Sequence, residues 1–69
     1  MPKETYEANG PTATDARLKA NAKCDMWIEQ QLRSGRKIVD EGRGSVTTIS
    51  GPQEFLCEVT LMYHEMTMA

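Results

Sequence analysis

The chain is short of the side chains that usually build a core. Leu, Ile, Val and Phe number 11 of 69 residues, and aromatic residues make up 6%. An aliphatic share of about 16% falls in the range of disordered chains, but that class also carries a large net charge. Here the formal charge is -2, so a lean folded domain is expected. Nowhere do apolar residues run for the roughly 20 positions of a membrane span, and no basic stretch followed by an apolar one opens the sequence. A soluble, cytoplasmic chain without membrane contact is the expectation. One core below roughly 70–80 residues rarely supplies more than ~3–5 kcal/mol, so a chain this sparse is expected to bury further surface against another chain.

Histidine and cysteine are equally scarce. Cys24 and Cys57 form no Cys-x-x-Cys pair, and with His64 they offer three candidate metal ligands at spacings of no familiar finger or ribbon. No metal or other cofactor is expected, and both thiols are read as reduced and buried. His64 is the single histidine and falls on the strand face opposite Cys57, so no Cys–His pair forms. The adjacent carboxylates Asp40 and Glu41 lie in a predicted turn, where water solvates both. The chain is therefore read as not an enzyme.

Excess basic charge is also lacking. The pI is about 5.2, whereas nucleic-acid binders normally carry a basic surplus. Along the sequence, residues 1–10 carry -1, residues 11–32 balance, residues 33–43 carry +2 and residues 44–69 carry -3. The positive stretch holds Arg33, Arg36, Lys37 and Arg43, the last within Gly42-Arg43-Gly44-Ser45. Converging backbone N–H groups beside a guanidinium could hold an anion. An adaptor for a nucleotide or nucleic-acid phosphate is thus the alternative function. A glycine-bounded turn with solvated charges accounts for the same residues.

What is present is organised. Residues 1–11 are polar, with two prolines and the isolated Tyr6, and read as a flexible or partner-docked tail. Residues 12–69 read as one small domain. Thr12-x-x-Asp15 is a variant capping box, Ala13 to Arg33 lacks Gly and Pro, and Ser34-Gly35 supplies a stop, so a helix is predicted between them. Spacing at 100° gathers Ala16, Ala20, Cys24, Trp27 and Ile28 into one stripe, with Leu32 at its margin. Leu18, Ala22 and Met26 fall on another side and suit a contact with a partner.

Beyond Gly35 the period changes. Arg36–Asp40 and Ser45–Ser50 read as two short strands joined by a turn through Gly42 and Gly44. After the Gly51-Pro52 turn, Gln53 to Met66 alternates as a long strand. Phe55, Cys57, Val59, Leu61 and Tyr63 share the core face; Leu56, Glu58, Thr60, Met62 and His64 share the other. The fold predicted is α+β, one helix packed on a three-stranded antiparallel sheet in the order αβββ. So long a strand exceeds its short neighbours, and an uncovered edge invites pairing with another copy.

Oligomerisation through Gln53–Met66 follows, with Tyr6, Leu18, Met26, Leu56, Met62, His64 and Met66 as interface residues. Met62, Met66 and Met68 add adaptable thioethers near the end of the chain. The function expected is a small protein-binding or assembly protein, an accessory, inhibitor or virion-type component of phage or viral character. Its partners would be another protein and itself.

Overall fold

A computed structural model describes residues 2–66. Strand β1 (Lys3–Gly10) is followed by helix α1 (Ala13–Arg33), strand β2 (Lys37–Gly51) and strand β3 (Glu54–Met66). The three strands form one antiparallel sheet in the order β1-β3-β2, and the helix packs on one face of it. The α+β class and the helix-on-sheet architecture are as the sequence predicts. The chain order is βαββ, not αβββ, and the difference arises at two places.

The first is the amino-terminal segment. Residues 3–10 are not a tail but an edge strand, paired with β3 from Lys3 opposite Met62 to Gly10 opposite Phe55. Tyr6, Ala8 and Gly10 turn toward the helix while Lys3, Thr5, Glu7 and Asn9 turn away, the period-two alternation of a half-buried strand. Ala8 and Gly10 are weak strand formers. Their small size is what the site needs, because a Cβ added to Gly10 would stand 2.8 Å from the backbone nitrogen of Ala16.

The second is the glycine segment. Instead of a turn, Asp40–Gly42 forms a bulge within a single 15-residue strand. Asp40 fixes it locally: its Oδ1 accepts from the Gly42 N–H at 2.8 Å and its Oδ2 from Arg43 Nε at 2.9 Å. Gly42 takes φ +140°, a value side chains rarely adopt. With β2 unbroken, β3 is paired along its whole length on one side and along Phe55–Met62 on the other. The expectation that β3 is an uncovered edge awaiting another copy is therefore overturned. It is the central strand.

The helix forms as its caps foretell. Thr12 Oγ1 accepts from the Asp15 N–H at 3.1 Å, and at the far end the N–H groups of Gly35 and Arg36 reach the carbonyls of Leu32 and Gln31 in a Schellman closure. Ala16, Ala20 and Cys24 are fully buried against Cys57, Val59 and Leu61, with Ala8 and Tyr63 completing the core. Small helix residues let the helix approach the sheet closely. Trp27, Ile28 and Phe55 are half-buried at its border, where the rings of Trp27 and Tyr63 meet at 4.9 Å and a tilt of 57°. Leu32 is left exposed.

Candidate interaction surface

The buried side chains are few and mostly small; the largest fully buried ones are Leu61, Val59 and the two cysteines. Larger apolar groups lie outside. Leu18, Met26, Leu32, Val46, Ile49, Met62 and Met66 are 40–76% exposed. Five of them fall in three places, while Leu32 near the helix end and Ile49 on the helix side of β2 lie apart.

One is the outer side of α1. Leu18 stands alone there, about 12 Å along the axis from Met26 at 1.5 Å per residue. Met26 belongs to the second place, a shallow groove of about 200 Å³ between α1 and β1, lined by Tyr6, Lys23, Met26, Trp27 and Gln30. Two of the predicted interface residues, Tyr6 and Met26, thus meet at one groove. Burial, and then the nearby Glu4 carboxylate, push the Tyr6 hydroxyl pKa above its ordinary value. Lys23 Nζ donates to the Glu7 carbonyl across this groove at 2.7 Å, tying helix to edge strand.

The third place is the sheet face turned away from the helix. Leu56, Met62, His64 and Met66 of β3 lie along it, as the alternation predicts, with Leu56 half-buried between Asn9 and Thr48. Val39 and Val46 of β2 join them. His64 Nδ1 contacts Glu41 Oε1, so the bulge residue reaches the histidine of the neighbouring strand. Thr5 and Thr60 share a hydroxyl hydrogen bond at 3.2 Å, while Glu7 faces Glu58 directly across the strand pair. Met68 lies outside the described residues.

The predicted anion-binding set is not brought together. Arg43 sits about 20 Å along β2 from Lys37, at 3.3–3.4 Å per residue, and points to the helix side. Its Nη2 donates to Asp25 Oδ1 at 2.6 Å and its Nη1 to Asn21 Oδ1 at 3.1 Å, in addition to the bond with Asp40. Desolvation works against its charge, but the hydrogen bonds to Asp25 and Asp40 outweigh it and raise the guanidinium pKa further. Arg43 is a clamp between α1 and β2.

Arg36 pairs with both Glu65 oxygens, at 2.7 and 3.0 Å, and with Gln31; Arg33 pairs with Glu29 at 2.7 Å. Hydrogen bonding from Arg36 holds the Glu65 carboxyl below its ordinary pKa. Arg36 thus ties the helix exit to β3, whereas the Arg33 pair lies within α1.

Cys24 and Cys57 are free thiols, both fully buried in the core. Burial raises the Cys24 thiol pKa, with Arg43 opposing, which disfavours the reactive thiolate. No helix is long and apolar enough to cross a membrane among the described residues. No protein-family model matches the chain, and comparison with curated proteins and with solved structures gives no match.

Sequence reasoning missed Val46 and Ile49, the two most exposed large apolar residues among those described, at 65% and 76%. Taken as half of a small hairpin, Ser45–Ser50 gave no reason to assign them a face. The available signal was composition. From Gly44 to Gly51 there is no charge and no proline, only Ser, Val, Thr and Ile between glycines.

Proposed function

We propose that this chain is a small, non-enzymatic protein-binding or assembly component of accessory, inhibitor or virion type, acting in the cytoplasm by associating with itself or another protein. The observation that carries this reading is the inverted distribution of apolar size. Small residues fill the core, and most of the large aliphatic and methionine side chains stand on the surface. Exposed apolar groups in such number mark contact surfaces. The polar groups that could serve catalysis support the same reading, because His64, Asp25 and Glu65 are engaged in pairs that join separate parts of the fold, and Asp40 holds Arg43 within β2.

Sedimentation equilibrium tests it. The wild type is expected to self-associate at micromolar concentration, and replacing Val46, Ile49 and Met62 together by serine should weaken that association with an unchanged circular-dichroism spectrum. A folded wild type that stays monomeric up to high-micromolar concentration, with the triple variant indistinguishable from it, would overturn the proposal.

A further inference from the structure

Both edges of the sheet offer unpaired backbone groups, and they are protected unequally. Proteins blunt such edges with charge, proline, bulges or a covering element. On β1 the edge carries Lys3, Glu4 and Glu7, and Lys23 reaches the Glu7 carbonyl from the helix. The first half of β2 has Lys37, Asp40, Glu41, the bulge, and Arg43 bound to the helix. Past Arg43 these devices stop until the irregularity between Ile49 and Gly51. Gly44–Gly51 has no charged residue and no bulge before Ile49, and Gly44–Ser50 is exposed throughout. The helix sits chiefly over β1 and β3 and leaves Ser45, Thr47 and Ile49 bare on its own side.

We infer that the Gly44–Gly51 edge of β2 pairs antiparallel with the same edge of a second copy, making a continuous six-stranded sheet. This deepens the assembly reading and rests on it. Charge selects the occupant. Between Glu41 and Gln53 the only charged residues are Glu41 and Arg43, one of each sign. An antiparallel copy lays the uncharged strip on itself and brings Arg43 beside Gly51 or Gln53 of the other chain, with no like charges opposed within the strip. The charged edge of β1 offers no such match.

Geometry narrows the register. A two-fold axis normal to the sheet maps each face onto itself, and directly opposed residues share a face, so opposed residues have the same parity. The axis therefore passes through Thr47 or Thr48. With Thr47 on the axis, Val46 lies opposite Thr48 and Ser45 opposite Ile49; with Thr48 on it, Thr47 lies opposite Ile49. Either way both helices stand on the same side and flank a trough into which Ile49 from each copy projects. Within Gly44–Gly51 seven residues of each copy then pair, a strip about 24 Å long at 3.4 Å per residue.

The test uses charge across the axis. Wild type should show by light scattering a concentration-dependent approach to twice the 7.7 kDa mass. Thr47→Lys/Thr48→Lys and Thr47→Glu/Thr48→Glu should each be folded monomers, because both positions are exposed in the single chain. Mixed one to one, they should restore the dimer. As a check independent of any variant, amide exchange across residues 45–50 of the wild type should slow as concentration rises. Self-association that persists in both variants, or exchange in this strip that ignores concentration, overturns the edge assignment and leaves the assembly reading standing. A wild type that stays monomeric up to high-micromolar concentration overturns both the inference and the assembly reading on which it rests.

Discussion

At Gly10 the last residue of an edge strand lies against the first turn of a helix with no room for a methyl group. The hypothetical Cβ meets backbone of Ala16 at 2.8 Å and Asp15 Cβ at 3.0 Å. Backbone cannot move aside as a flexible side chain can, so Gly10→Ala should cost about 1–3 kcal/mol, in the range of overpacked cores. Urea unfolding would show this as a lower midpoint at unchanged slope. This constraint explains why β1 was hidden in the sequence. Residues Tyr6, Ala8 and Gly10 alternate correctly, but two of the three are small and favour no strand by themselves. Their strand conformation comes from pairing with β3 and from the closeness of the helix, which no local pattern displays.

Among the elements, α1 was the most legible. Its caps at Thr12 and Gly35 and its stripe Ala16, Ala20, Cys24 are short-range features, and each is where the periodicity puts it. The alternation of β3 was equally local. What could not be read was which strand lies in the middle, because that depends on β1 and on the continuity of β2. The Glu-Gly-Arg-Gly segment has turn composition, and only the bonds from Asp40 to Gly42 and Arg43 make it a bulge.

Those bonds make Arg43 the link between bulge and helix. Arg43→Gln should therefore lower stability by roughly 1–3 kcal/mol, the scale of charge-assisted hydrogen bonds. Arg43→Lys should not restore it, since one ammonium cannot hold Asp25, Asn21 and Asp40 in fork geometry. Thermal unfolding of the two variants side by side decides between a positional and a merely electrostatic role.

The Arg36–Glu65 pair joins the helix exit to the end of β3 and has a pH signature. Because Glu65 is depressed in the folded state, its contribution is present above the ordinary carboxylate range and is lost as pH falls through its lowered value. Glu65→Gln should be less stable than wild type near neutrality, and the difference should shrink on acidification. Melting temperatures of both proteins across the acid range test this; a gap that widens toward low pH would contradict it.

At the scale of the molecule, a core of eight buried hydrophobic residues among those described, three of them alanines, leaves little reserve. Leu61 is among the largest fully buried side chains. Leu61→Ala removes about 2–5 kcal/mol, comparable with the ~3–5 kcal/mol that one small core supplies, so the isolated variant should be largely unfolded by circular dichroism at room temperature. The shape agrees with a shortage of interior: a plate of 51 × 22 × 12 Å whose long dimension matches the 15 residues of β2. The sequence composition announced this shortage, and it pointed to another chain as the remedy. It placed the open edge on the wrong strand, since the apolar strand is covered from within and the bare edge belongs to the uncharged half of β2.

The strand order β1-β3-β2 also sets a sequence of events. The β2–β3 hairpin closes through a two-residue connection and can form early, whereas β1 joins β3 across separations of up to 59 positions, as between Lys3 and Met62. Non-local pairings of this kind are slow because loop closure must precede them. A newly made chain therefore holds its helix and its hairpin before its first strand can dock. During that interval Phe55–Met62 has an open edge, and Lys3–Gly10, the least apolar strand of the protein, is the segment that closes it against aggregation.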